Sequence, residues 1–259
     1  MERHTLVHQG QERRWIEIEG TTDALLLVLH GSLQSSNVMR NFTDHTFEGL
    51  GPTVVYPDGV KHHFNDLRAG FNEDARRMRI DDVGFLTKIV AHYNVPTIGC
   101  GFSNGGQMIL RLLFDAPGLL SGAATFGASM PTPENTLTTT DNYQPTKLLS
   151  VQGTEDKLVP YAGGMSGIGG NNRGETRSAQ DSAAFFAELN GCDGHVTSTG
   201  DKLRVDDFSG DHPVRLVTLE GAGHMVPVER DLDPRLGHNP KTPTGGQLLS
   251  EFFFAGQTR

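Results

Sequence analysis

Apolar and polar positions follow two periods along the chain, and the changes of period mark its elements. From Thr5 to Gly20 the alternation is of period two around Gln9-Gly10-Gln11, with Leu6, Trp15, Ile16 and Ile18 apolar. This predicts an N-terminal β-hairpin. Ala24 to Leu29 and Thr53 to Tyr56 are instead unbroken apolar runs that stop at His30-Gly31 and Pro57-Asp58-Gly59. Short runs of this kind predict strands covered on both faces of a mostly parallel sheet. Asp81 and Asp82 precede Val83, Leu86, Ile89, Val90 and Tyr93 at helical spacing, so a helix is expected whose N-terminal dipole faces two carboxylates.

After Pro96, Thr97 to Cys100 predicts another strand. It runs into Gly101-Phe102-Ser103-Asn104-Gly105-Gly106 and then into a helix with Met108, Ile109, Leu112 and Leu113 on one face until Pro117. Gly122 to Phe126, Lys147 to Val151 and Arg215 to Leu219 read as further strands, and Ser178 to Leu189 and Gly246 to Phe254 as helices. Repeated strand-then-helix units imply an α/β protein with a mostly parallel, doubly wound sheet flanked by helices. Gly163 to Gly174, with six glycines, is expected to be a flexible loop, and Met130 to Pro145 a Thr/Pro-rich connection. Strands of the same sheet continue beyond both, so residues 1–259 are expected to form one domain with no large separate lid.

Composition narrows the function. The 22 Lys+Arg against 31 Asp+Glu leave a net charge of −9, which opposes a nucleic-acid or anionic-membrane partner because both need a basic surface. No apolar run is long enough to span a bilayer, and Met1 to Gly10 holds no apolar signal-peptide core. The expected location is the cytoplasm, or outside the cell if an export signal has been removed. The cysteines are Cys100 and Cys192 alone, too few for a disulfide framework.

Gly101-Phe102-Ser103-Asn104-Gly105 fits G-x-S-x-G in the required strand-to-helix context. Glycines on either side of Ser103 permit a strained turn that exposes its hydroxyl. A dinucleotide fingerprint beginning at Gly99 would need glycine at 104, where Asn104 stands. Serine is a poor nucleophile near neutral pH, so a histidine must take its proton and an acid must orient that histidine, here in the chain order Ser, acid, His. His224, in Gly221-Ala222-Gly223-His224 after the Arg215 to Leu219 strand, meets that requirement. His195, His212 and His238 lie in polar segments and are expected at the surface, and adjacent His62 and His63 should point apart rather than bind a metal. Asp156, following the Lys147 to Val151 strand, is the expected orienting acid. Glu155 is its neighbour, and Asp201, Asp206 and Asp207 fall in a stretch that reads as solvated. Oxyanion donors are expected from the amide of Asn104 and from Ser32, with Leu33 as the neighbouring choice. His30 should brace that turn. Leu33, Gln34 and Phe102 flank these donors as candidate substrate contacts.

With these residues in place, the chain resembles α/β-hydrolases of the polyhydroxybutyrate depolymerase and feruloyl esterase-like branch. The resemblance rests on Leu29-His30-Gly31-Ser32-Leu33-Gln34, Tyr56-Pro57-Asp58-Gly59, Asn65-Asp66, Asp81-Asp82-Val83-Gly84-Phe85, the Ser103 pentapeptide, Gly153-Thr154-Glu155-Asp156 with Val159-Pro160-Tyr161, Asn190-Gly191-Cys192 and Gly223-His224. It implies the α/β-hydrolase fold and a triad of Ser103, Asp156 and His224. Three positions depart from the pattern: Ser32 where the family often has cysteine, Met225-Val226-Pro227 where secreted relatives carry Trp-Pro-Gly, and Phe64 where Trp is common. Ser32 and the cysteine-free stretch from Asp201 to Leu219 leave Cys192 without an evident disulfide partner.

The expected activity is serine carboxylic-ester hydrolysis of a small-molecule or polymeric ester through an acyl-enzyme, with no metal or cofactor. Two alternatives use the same residues differently: an amide or polyamide hydrolase, or a non-catalytic binding protein on the same scaffold. Arg68, Arg76, Arg77 and Arg79 could hold an acidic substrate, or form a solvated face paired with Asp74, Asp81 and Asp82.

Overall fold

The computed structural model describes residues 1–168 and 170–255. The chain opens with a hairpin of β1 (Glu2–His8) and β2 (Gln11–Ile18), followed by β3 (Leu25–Leu29), α1 (Ser36–Phe42) and β4 (Thr53–Pro57). Next come α2 (Asp74–Arg77), α3 (Asp82–Tyr93), β5 (Thr97–Phe102), α4 (Asn104–Asp115), β6 (Gly122–Phe126) and β7 (Lys147–Gly153). A small hairpin, β8 (Gly164–Ile168) and β9 (Asn171–Thr176), precedes α5 (Ala179–Leu189). The remainder is β10 (Gly194–Gly200), β11 (Leu203–Ser209), β12 (Val214–Leu219) and α6 (Gly245–Leu249), which continues as a π-helical turn over Ser250–Phe254.

Ten strands form one sheet in the order β1-β2-β4-β3-β5-β6-β7-β12-β11-β10. The six central strands, from β4 to β12, are parallel, and antiparallel hairpins finish both edges. Every residue of β3 is buried. Leu25, Leu27 and Leu29 join the core under α3, α4 and α5, while Leu26 and Val28 join the opposite core with Met39 of α1 and Leu248 and Leu249 of α6. Burial on both faces is why the β3 sequence is continuously apolar rather than alternating. From β3 the chain steps to β4 on one side and later to β5 on the other, so the sheet order reverses between β3 and β5. In open α/β sheets, the crevice at such a reversal, outside the carboxyl ends of the strands, is where ligands bind.

Two expectations are corrected. Gly163 to Gly174 is a paired hairpin with a bulge between Met165 and Gly167; Gly169 of that stretch lies outside the described residues. Its buried positions are polar, Ser166, Arg173 and Thr176, so no hydrophobic alternation announced it. The stretch holding Asp201, Asp206 and Asp207 forms the β10–β11 edge hairpin, where Asp201 is exposed at the turn as expected but Asp206 is not. Asp206 is buried there, accepting hydrogen bonds from Thr197 and Arg204 at 2.6 and 2.9 Å, and His195 stacks on Phe208 with ring centroids 4.3 Å apart.

Candidate functional site

Ser103 occupies the turn between β5 and α4 at φ 53° and ψ −115°, a conformation costly for a residue with a Cβ and maintained only by its surroundings. A Cβ on Gly101 would fall on the carbonyl of Gly105, and one on Gly105 on the carbonyl of Leu29. Glycine at both positions is therefore a packing requirement of the turn. The Ser103 amide donates to the Phe126 carbonyl at 2.8 Å, which locks the elbow to the end of β6. The Ser103 hydroxyl makes no hydrogen bond to another described residue, His224 included; in ligand-free sites such contacts are often open and close only with substrate.

His224 and Asp156 are brought together. Both are buried, and Nδ1 of His224 lies 2.7 Å from Oδ2 of Asp156. The other oxygen, Oδ1, accepts the amides of Leu158 and Val159 at 2.9 and 2.8 Å, so the carboxylate is fixed on both sides. A carboxylate acceptor at Nδ1 sets the tautomer, placing the proton on Nδ1 and the lone pair on Nε2. Glu155, the neighbouring candidate, is exposed. The imidazole packs on Phe102, the residue before Ser103, with ring centroids 4.8 Å apart. Its other side faces Gly127, where a Cβ would come within 2.8 Å of Cε1. His224 is thus held against the two strand ends that carry the elbow.

The loop after β3 approaches from the other side of the sheet reversal. Leu33, at φ 64°, donates its amide to the His62 carbonyl, and the Gly31 amide donates to Oε1 of Gln34 at 2.9 Å. Leu33 is thereby excluded as an oxyanion donor, while the amides of Ser32 and Asn104 have no partner among the described residues. The Asn104 side chain is fully engaged: Oδ1 accepts the Phe64 amide, and Nδ2 donates to the Phe64 carbonyl and to Asp66. His30 braces this loop. Its Nδ1 lies 2.7 Å from the Gly31 carbonyl and its Nε2 accepts the Gly59 amide at 2.9 Å, an arrangement that requires the neutral ring. Burial lowers its pKa to about 4, against the opposing Gly31 hydrogen bond.

Of the expected substrate contacts, Leu33 is 69% exposed. Phe102 is buried between Phe42 and His224, and Gln34 turns its carbonyl inward to Gly31. A cavity of about 70 Å³ lies beside His224, lined in part by Leu158, Pro234 and Leu236. A larger one, about 270 Å³, lies among His195, Arg204, Asp206 and Phe208, away from these groups.

The arginine run is a solvated face only in part, at exposed Arg77 and Arg79. Arg68 is buried and pairs with Asp66, and Arg76 donates to the side chain of Asn65 and the carbonyl of Asp66. Only Arg77 makes an expected pair, with Asp74, and Arg79 is exposed. Asp82 pairs instead with buried Arg13, and Asp81 caps α3 through the Gly84 amide while bonding His8. Neither of these long-range partners was signalled by local sequence. Cys100 and Cys192 are both free thiols. Glu2, His4 and Glu17 bring donor atoms within 4.8 Å of one another on the N-terminal hairpin, but Glu17 is already engaged by Tyr93 and His4. No described helix is long and apolar enough to cross a membrane.

No family model matches the sequence. The chain is 26% identical over 231 residues to "Putative esterase NocK" of Nocardia uniformis subsp. tsuyamanensis, covering 78% of this chain. It spans only 65% of the length of that curated relative. Among solved structures, acetyl xylan esterase from Aspergillus awamori superposes with a TM-score of 0.59 at 13% identity, covering 88% of this chain and 96% of that one. An alpha-beta serine hydrolase homologue from Coxiella burnetii gives 0.50 at 13% identity over 86% and 89%. With its mostly parallel sheet, flanking helices and these neighbours, the chain has the α/β-hydrolase fold.

Proposed function

We propose that the protein is a serine hydrolase of carboxylic esters. The observation that carries this reading is the Asp156–His224 hydrogen bond held beside the strained Ser103 elbow. The esterase name of the Nocardia relative supports the same class. In this reading His224 Nε2 removes the Ser103 proton as Oγ attacks the ester carbonyl, and Asp156 stabilises the imidazolium through Nδ1. The amides of Ser32 and Asn104 receive the oxyanion, a contribution of about 3 kcal/mol per donor. Collapse of the tetrahedral intermediate expels the alcohol, which takes its proton from His224. Water, deprotonated by His224, then attacks the acyl-enzyme, and the acid leaves with Ser103 regenerated. Every step is proton and acyl transfer among these groups, so the reading calls for no metal or cofactor.

The motif blocks favour the polyhydroxybutyrate depolymerase and feruloyl esterase-like branch within the fold, and exposed Leu33 beside the oxyanion loop offers an apolar contact for the acyl group or a polyester segment. Engagement of Arg68 and Arg76 by internal partners weighs against acidic polymers. Pre-steady-state mixing with p-nitrophenyl butyrate should give a burst of nitrophenol equal to the enzyme, absent in Ser103→Ala; undiminished turnover by that variant would refute the reading.

A further inference from the structure

The hydroxyl of Ser32 reaches a residue remote in sequence. It accepts a hydrogen bond from Nη1 of Arg173 at 2.6 Å, and Arg173 belongs to β9 of the small hairpin. This guanidinium is buried. Its Nη2 donates to Glu73 at 2.8 Å, its plane lies over Phe71 at 5.1 Å, and its own carbonyl accepts from Asn135. Asn135 also accepts the Gly70 amide. The hairpin is thus fastened to the segment around Gly70–Glu73, and Arg173 is fastened within it.

We propose that Arg173 is a positioning residue for the oxyanion hole: it acts through Ser32 and fixes the direction in which the Ser32 amide points. This rests on the ester-hydrolase reading given above. Two observations set Arg173 apart from an ordinary structural arginine. Its Nε is buried without a partner among the described residues, and burial lowers its pKa, with nearby Arg68 adding to the effect. Both features oppose placing a cation there for stability alone, because unpaired buried polar groups cost free energy. The second observation is the geometry of the loop. The Gly31 and Leu33 amides are tied to Gln34 and His62, while the intervening Ser32 is restrained by Arg173 from the β8–β9 hairpin. A donor must be aimed to within roughly 0.5 Å and 10–20° to stabilise an oxyanion, a tolerance that an unrestrained loop serine would exceed.

The test compares wild type with Ser32→Ala, Arg173→Met and the double variant. The readings are kcat and KM for p-nitrophenyl butyrate, the rate of Ser103 phosphonylation by a fluorophosphonate, and the thermal midpoint. Losing a donor outright costs about 10²–10³ in kcat, so misaiming one is expected to lower kcat by about tenfold or more in each single variant. KM should hold within about twofold and phosphonylation slow in parallel. The double variant should be no slower than the slower single, because both changes break one link. Folded variants with unchanged kcat, a change confined to KM, or losses that multiply in the double variant would overturn the role of Arg173. Wild-type protein that neither turns over ester nor labels would overturn the underlying hydrolase reading instead.

Discussion

Asn104 and Asp66 are joined by a 2.7 Å hydrogen bond between the first residue of α4 and the loop that precedes α2. Through the same side chain Asn104 also holds both main-chain groups of Phe64, and Asp66 forms a buried ion pair with Arg68. The residue after the elbow serine thus anchors the neighbouring loop while its own amide has no partner among the described residues.

Asn104→Ala should therefore damage stability and rate together. It leaves the buried main-chain groups of Phe64 without their partner, a loss on the order of 2 kcal/mol or more, and loosens the amide beside Ser103. Urea unfolding should show the lower midpoint, and kcat for a nitrophenyl ester should fall by about tenfold.

Asp156→Asn separates orientation from charge. Its amide oxygen can still accept the Leu158 and Val159 amides, but its NH2 then faces Nδ1 of His224 and favours the wrong tautomer. A drop in kcat of about 10⁴ is expected with the fold retained, read by ester turnover and circular dichroism.

How much of this was legible in sequence depended on what each residue packs against. β3, β5, β6, β7 and β12 are buried on both faces, so their apolar runs stood out, as did the turns that place Ser103, Asp156 and His224 at their carboxyl ends. β10 is mostly exposed and polar, leaving no alternation to read, and the β8–β9 hairpin buries Ser166, Arg173 and Thr176 rather than apolar residues. Buried charge was the other blind spot. Arg68 and Asp82 were candidates for a solvated face, yet they pair in the interior with Asp66 and Arg13, because a charge declares itself buried only when its distant surroundings are known. The link from Arg173 to Ser32, 141 residues apart, is of that kind.

Arg13→Met tests the buried pair with Asp82. Burial pushes the Asp82 carboxyl up, and Arg13 opposes that effect. Removing the cation strands a carboxylate in the core, and about 3–5 kcal/mol of stability should be lost. Urea unfolding at neutral pH reads this loss, while kcat in undenatured protein should remain within about twofold because neither residue belongs to the proposed catalytic set.

His30 makes stability fall on acidification. Its pKa of about 4 in the fold lies below the ordinary 6.5, so the unfolded chain binds the extra proton first. The stability contributed by the neutral ring is complete above pH 6.5 and is lost as pH falls from 6.5 to about 4. His30→Gln should flatten that part of the stability curve relative to wild type, as measured by thermal midpoints at half-unit pH intervals.

The most direct measurement is peptide mapping of the folded protein after reaction with a fluorophosphonate. One phosphonyl group on Ser103, with labelling abolished in Ser103→Ala and at least about a hundredfold slower in His224→Ala, is the predicted result. Labelling at another serine, or no labelling of Ser103 in fully folded protein, would contradict the account.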